Sequence, residues 1–192
     1  MPRLLRKSNQ RKKPSKNPRP SVLILCEGAN TEPQYLNHVR RALGLSAVAV
    51  EGPRGVPKTL VEIAVDRKKF GDHDAIWCVF DVDSHPNLSG AKQQAAAHGI
   101  KLAISNPCVE LWLVLHHVRY ERPCTKEGIQ REIRKHDADY NKNIDPARYW
   151  KKYPTARKNA LELIARNQRN NSIGQAPCTN FHELIGELEK LI

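Results

Sequence analysis

Continuous apolar runs alternate with amphipathic segments from residue 21 to about residue 117. The runs at 21–26 and 75–80 contain β-branched residues and are typical of strands buried on both faces of a parallel sheet. Shorter apolar runs at 46–50 and 101–104 predict two further strands. Because the segments between these runs have helical spacing, the sequence predicts an α/β domain with a mainly parallel sheet and helices on both faces.

Helical segments are predicted between the strands and throughout the region after residue 118. They cover residues 31–43, 57–70, 89–98, 106–117, 125–136, 155–167 and 179–192. Thr31 and Asn106 are the expected N-caps of the first and fourth helices. Phe70 would extend the apolar face of the second helix, and His116 and His117 would be cations at the end of the fourth. We therefore expect an α/β core over 21–118, with a helical C-terminal extension over 119–192 packed on it.

Positive charge is concentrated at the N-terminus. The chain has 192 residues and a net charge of +12, of which residues 1–20 contribute eight basic residues and no acid. This basic arm, which includes Arg11, Lys12, Lys13 and Lys16, is predicted to be disordered and to bind phosphate backbones without sequence preference. A solubilising tail and attraction to an anionic membrane are the alternatives, and nucleic acid is the partner that we favour.

Membrane insertion and secretion are both disfavoured by composition. No run approaches the roughly 20 apolar residues that a membrane-spanning helix needs, and the N-terminus lacks the apolar stretch of a signal peptide. The five cysteines show no metal-binding spacing. We expect a cytoplasmic protein with reduced thiols that does not associate with membranes.

Acidic residues follow two of the predicted strands. The first strand ends at Glu27-Gly28, and the third ends at Asp81-Val82-Asp83. Since the carboxyl ends of parallel strands meet at one edge of a sheet, these acids are expected to lie together. Carboxylates suit Mg²⁺ or Mn²⁺, which polarise phosphoryl groups and orient water. Each acid could instead be a helix cap or a turn residue.

Three sequence blocks resemble the RloB family. They are LCEGANTEPQY over 25–35, IWCVFDVDSHP over 76–86 and AISNPCVELWLVLH over 103–116. Strands that end in Glu-Gly and Asp-x-Asp are also similar to the Toprim domain of topoisomerases, primases and OLD-family nucleases. The resemblance implies a Toprim-like, Rossmann-like fold and a role in bacterial phage defence of the abortive-infection type, beside an RloA-like ATPase.

The resemblance also implies roles for individual residues. Asp81 and Asp83 match the metal-binding pair, and Glu27 matches a residue that is a ligand or a general acid/base. Glu110 matches the acid of the third block, where it would be either a fourth carboxylate of a two-metal site or an acid at a helix N-terminus. The pair at 29–30 departs from the Glu-Lys-like pair typical of the family, so a lysine is missing there.

Three further residues are candidates for contacts with substrate. Gly28 would leave room for substrate beside Glu27. His85 could contact a phosphate or lie on the surface, and Asn106 could orient substrate instead of capping a helix. Thr31 and Glu32 are most simply a cap and a first-turn acid, although both flank Glu27 in sequence and could lie near the metal.

The sequence predicts a Mg²⁺- or Mn²⁺-dependent nuclease that cleaves phosphodiester bonds. The chain is too short for the strand-passage apparatus of a topoisomerase. The alternative function is a non-catalytic nucleic-acid-binding or regulatory subunit of a defence ATPase complex. Both hypotheses leave the target open among DNA, RNA and tRNA, and a second copy of the chain is a further candidate partner.

Overall fold

The computed structural model describes residues 20–52, 55–82, 85 and 88–192. Asp83 lies outside the described residues, and so do the basic-arm residues Arg11, Lys12, Lys13 and Lys16. The predictions made for these residues therefore stay predictions.

The described residues form a five-stranded sheet. The strands are β1 (Val22–Cys26), β2 (Val48–Glu51), β3 (Ala75–Asp81), β4 (Lys101–Asn106) and β5 (Cys178–Thr179). Their order is β2-β1-β3-β4-β5, in which the first four are parallel and β5 pairs antiparallel with β4. The predicted α/β class and the mainly parallel sheet are confirmed.

Eight helices occur in the part of the chain that the structure describes. They are α1 (Thr31–Ala42), α2 (Pro57–Phe70), α3 (Leu88–Ala97), α4 (Glu110–Leu115), α5 (Lys126–His136), α6 (Pro146–Trp150), α7 (Tyr153–Arg169) and α8 (Phe181–Glu189). Helices α2 and α3 pack on one face of the sheet, where Leu23 and Leu25 of β1 point. Residues of α1, α4, α5, α7 and α8 share a second apolar cluster on the other face, with Ile24 and Cys26.

The C-terminal helices complete the core of this second face. Trp112 of α4 stacks on Phe181 of α8 with ring centroids 5.5 Å apart. Asn159 of α7 donates a hydrogen bond of 2.8 Å to the Leu115 carbonyl at the end of α4. Since Trp112 and Phe181 are fully buried, the segment after residue 118 shares its hydrophobic core with the sheet.

Five details of the predicted elements differ in the structure. Helix α4 begins at Glu110, not at 106, because Asn106 is still part of β4 and pairs with Cys178 of β5. The predicted last helix begins at 181 and not at 179, because residues 178–179 form strand β5. The short helix α6 was not predicted. Phe70 is 77% exposed instead of extending the apolar face of α2. Thr31 is the first residue of α1 and makes no cap hydrogen bond.

His116 is a neutral core residue, not the predicted cation. Its Nδ1 lies 2.8 Å from the Trp112 carbonyl oxygen, so Nδ1 carries the proton and donates. Nε2 is then an acceptor for the Tyr35 hydroxyl at 3.0 Å. Burial lowers the pKa of His116 to about 3, because the charged imidazolium would lose its hydration.

Candidate functional site

The candidate site lies where the strand order reverses. The chain moves from β1 outward to β2 and then returns to the other side of β1 to form β3. Helix α1 connects β1 to β2 and helix α2 connects β2 to β3, so the two connections run in opposite directions and the helices lie on opposite faces of the sheet. A crevice therefore opens beyond the carboxyl ends of β1 and β3. Glu27 follows β1 directly, and Asp81 is the last residue of β3.

The strand register places Glu27 beside Asp81. Cys26 pairs with Val79, and the ladder continues as the Glu27 amide donates to the Val79 carbonyl at 2.9 Å. The Glu27 side chain then turns back to the neighbouring strand, where its Oε2 accepts a hydrogen bond of 3.2 Å from the Asp81 amide. Its other oxygen, Oε1, lies 2.9 Å from His85 Nε2. Both oxygens of the Glu27 carboxylate are therefore held in place.

Asp81 points to the face of the sheet that α1 and α4 cover. Alternation along β3 sends Trp77, Val79 and Asp81 to this face, and Trp77 and Val79 belong to its apolar cluster. The pKa of Asp81 is raised well above its usual range, first by burial and then by the nearby carboxylates of Glu32, Glu110 and Glu27. Lys126 opposes this shift.

Glu32 lines the same cavity, the second of the two positions that its sequence context left open. It is 6% exposed, and its carboxylate lies over the backbone of Gly28. A Cβ atom on Gly28 would approach Glu32 Oε1 to 2.6 Å, so any other residue at this position would force the Glu32 carboxylate to move. Burial and the charges of Glu110 and Glu27 raise the pKa of Glu32, while Lys142 lowers it.

Glu110 enters from the opposite side, at the first position of α4. Its carboxylate oxygen Oε1 accepts hydrogen bonds from the Tyr140 hydroxyl at 2.8 Å and from Gln130 Nε2 at 3.0 Å. These two donors come from α5 and from the loop after it, so the C-terminal segment fixes the orientation of this acid. Glu110 is 3% exposed and therefore needs such partners.

The four carboxylates line one cavity of about 300 Å³. Two lysines, Lys126 and Lys142, line it as well. Lys142 has a left-handed backbone with φ of 73°, and its carbonyl accepts a hydrogen bond of 3.1 Å from Thr31 Oγ1. A left-handed conformation is unfavourable for lysine, so the contact with α1 helps to hold it there. Neither lysine was predicted as a site residue, because Lys126 begins a predicted helix and Lys142 lies in the polar stretch between two predicted helices.

The other predicted substrate contacts are placed differently. Gly28 lines the cavity, and His85 reaches it through Glu27. Asn106 is not among the described residues that line the cavity, and its side-chain amide donates to the Gly174 carbonyl at 2.7 Å. Asn106 therefore ties the end of β4 to the loop before β5.

The donor set of the cavity suits a hard cation. All four acidic side chains offer carboxylate oxygens, which Mg²⁺ and Mn²⁺ prefer over nitrogen and sulfur. Within the described ranges, no group of three or more His, Cys, Asp and Glu side chains is already arranged to hold a metal ion. Asp83 lies outside those ranges.

Fold and site together define an α/β protein with an acidic crevice at the carboxyl edge of a parallel sheet. The family model described as "RloB-like protein" matches residues 22–188, and the chain therefore belongs to the RloB-like family. No curated protein and no solved structure matches the chain. In the described part of the chain, no helix combines the length and the apolar character needed to span a bilayer.

Proposed function

We propose that the chain is a Mg²⁺- or Mn²⁺-dependent nuclease that hydrolyses phosphodiester bonds of nucleic acid. The observation that carries the proposal is the convergence of four carboxylates on one cavity from four separate places in the fold. The carboxylates of Glu110 and Glu27 help to raise the pKa values of both Asp81 and Glu32, after burial. Keeping several like charges in a small buried space is costly unless a cation balances them.

Asp81 and Asp83 would hold the cation, with Glu27 as a ligand or as a base. A bound Mg²⁺ or Mn²⁺ supplies Lewis-acid polarisation of a phosphoryl oxygen and a more acidic bound water. His85 and the Asp81 amide orient the Glu27 carboxylate, so that its position is set before substrate binds.

The remaining polar residues position the other acids and the substrate. Tyr140 and Gln130 hold Glu110, which we propose as the fourth carboxylate. Lys126 and Lys142 give the cavity the positive charge that would attract a phosphate of the substrate. We also infer that one of them takes the place of the lysine absent at 29–30.

The biological setting of the activity is part of the proposal. Family membership and the parallel sheet support a Toprim-type relationship, an abortive-infection role in phage defence and an RloA-like ATPase partner. The net charge of +12 supports a nucleic-acid partner in the cytoplasm, bound partly through the basic arm. DNA, RNA and tRNA are all candidate substrates, and the chain could act as a homo-oligomer.

The proposal is tested by cleavage assays with the full chain. Supercoiled plasmid, single-stranded DNA and total tRNA are incubated with Mn²⁺ or with EDTA, alone and with the ATPase partner. We expect metal-dependent cleavage that Asp81→Ala and Glu27→Gln reduce by about 100-fold or more. Glu62→Gln is the matched control, because Glu62 is an exposed acid of α2 that pairs with Lys58. Full cleavage by Asp81→Ala would refute the catalytic assignment.

The excess of positive charge also supports a second candidate function. A non-catalytic subunit that binds nucleic acid and regulates an ATPase would need the basic surface but no hydrolysis. This candidate is favoured if the wild type binds all three substrates and cleaves none of them, with or without the ATPase and metal.

A further inference from the structure

A second, basic pocket lies at the far end of α4 and α5. It has a volume of about 240 Å³ and is lined mainly by groups that are cationic or can become so. These residues are His117, His136, Arg148, Lys151 and Lys152. We call this the basic pocket. Its residues come from the ends of α4, α5 and α6, which lie far apart in sequence.

The single acid that lines the basic pocket is already engaged. Asp137 Oδ2 accepts a hydrogen bond of 2.7 Å from the Tyr149 hydroxyl, and Oδ1 lies 3.7 Å from Arg148 Nη1. Over the described ranges, no ion pair joins Lys151 or Lys152 to a carboxylate. The basic pocket therefore carries positive charge that the described residues do not balance.

The basic side chains of the pocket lie close to one another. The rings of His117 and His136 stack with centroids 5.1 Å apart, and Lys152 Nζ lies 3.2 Å from His117 Nδ1. Because the ammonium group can only donate, His117 Nδ1 must accept and the ring must be neutral. Burial, Lys152 and His136 together lower the pKa of His117 to about 4, and Asp137 opposes them only in part. A bound anion would balance the positive charges of Lys151 and Lys152, and it would favour protonation of His117.

The basic pocket and the acidic cavity are joined by the same two helices. Helix α5 begins with Lys126 at the acidic cavity and ends with His136 at the basic pocket. Helix α4 likewise begins with Glu110 at the cavity, and His117 follows its end. The ends of α5 are about 15 Å apart at 1.5 Å per residue. That is roughly the axial rise of four nucleotides in one strand of a duplex.

We propose that the basic pocket binds a backbone phosphate of the nucleic acid whose scissile bond lies at the acidic cavity. Lys151, Lys152 and Arg148 would contact the phosphate oxygens, and His117 could add a proton-donating nitrogen once the anion is bound. The identity of the ligand rests on the proposed function, whereas the anion site itself rests on the charges of the pocket. The phosphate would position the strand a few nucleotides from the reacting bond.

Binding in EDTA tests the proposal separately from cleavage. The affinity of the full chain for a fluorescent single-stranded 20-mer is measured by anisotropy at several salt concentrations. We expect Lys151→Gln/Lys152→Gln to lower the slope of log affinity against log salt by about 0.7, the value for one phosphate contact, and to weaken binding about fivefold near 0.1 M salt. Lys58→Gln/Lys69→Gln is the matched control, since it removes two exposed charges from α2.

Inorganic phosphate provides the second arm. In NMR titrations, phosphate should raise the pKa of His117, because a nearby anion favours the imidazolium, and Lys151→Gln/Lys152→Gln should abolish this response. An equal loss of 20-mer binding in the control pair would overturn the proposal, and so would an unchanged salt slope in the pocket variant. A response to phosphate without any effect on the 20-mer would overturn the nucleic-acid assignment. Because this binding is measured in EDTA, its outcome does not depend on whether the chain cleaves.

Discussion

Removing the charge of Asp81 should stabilise the metal-free protein. Burial raises the pKa of Asp81, and the nearby carboxylates of Glu32, Glu110 and Glu27 raise it further. Two unit charges about 6 Å apart repel by roughly 3 kcal/mol at an effective dielectric constant of 20. Since Lys126 offsets part of this repulsion, we expect Asp81→Asn to raise the free energy of unfolding by about 1–2 kcal/mol. In a chain of this size that corresponds to a rise in Tm of about 2–8 °C.

The gain in stability of Asp81→Asn over the wild type should increase with pH. The folded-state pKa of Asp81 is raised, so the unfolded chain loses this proton first as pH increases. The wild type therefore loses stability from about pH 4 upward, and Asp81→Asn does not share this loss. The difference in Tm should be largest near pH 7.5 and should shrink toward pH 4.

The assay is thermal melting in EDTA and again with Mn²⁺ in excess. An ion present at 100 times its Kd stabilises the folded state by about 2.7 kcal/mol, so the order of wild type and variant should reverse with metal. Asp66→Asn is the control, because Asp66 is an exposed acid that pairs with Lys69 at 2.9 Å, and its effect should stay within about 0.5 kcal/mol. The reasoning is refuted if Asp81→Asn is no more stable than wild type in EDTA, or if Mn²⁺ stabilises both equally.

Substitutions at three further positions, Gly28, Lys142 and His116, test other parts of the account by thermal or denaturant unfolding. Gly90→Ala, in an open helical position, should stabilise the protein by about 0.5–1 kcal/mol. Gly28→Ala should not give this gain, because its Cβ would displace the Glu32 carboxylate; equal stabilisation by both would contradict this reasoning. Lys142→Gly should be more stable than Lys142→Ala by about 1 kcal/mol because φ is 73°, while both should weaken cleavage if this lysine contacts substrate. His116 has a pKa of about 3 in the folded protein and about 6.5 in the unfolded chain, so only the unfolded chain takes up this proton as the pH falls from 7 to 5. The free energy of unfolding of the wild type should therefore decrease by about 2 kcal/mol over this range through His116, and that of His116→Gln should decrease by correspondingly less.

The parallel strands of the sheet could be predicted because their signals are local. The apolar runs before Glu27 and Asp81 are strand-like on their own, and the rule that parallel strands share a carboxyl edge brings these two acids together. The edge strand β5 could not be predicted. It has only two residues, and its pairing with Asn106 moves the start of α4 to Glu110.

The rest of the site depends on contacts between residues far apart in sequence. Glu32 has the same local pattern as any acid in the first turn of a helix, and only its packing over Gly28 distinguishes it. Lys142 lines the cavity and Tyr140 donates to Glu110, and both belong to a loop that contacts Thr31 of α1, more than 100 residues earlier in the chain. No spacing or composition signal marks such contacts.

Binding of Mn²⁺ to the full chain is the measurement that tests the central claim most directly. Titration monitored by electron paramagnetic resonance counts bound ions independently of any substrate or partner. We predict one or two bound Mn²⁺ ions per wild-type chain, displaced by Mg²⁺, and loss of this binding in Asp81→Asn but not in Asp66→Asn. A wild type that binds no Mn²⁺, or an Asp81→Asn variant that binds as many ions as wild type with equal affinity, would contradict the account.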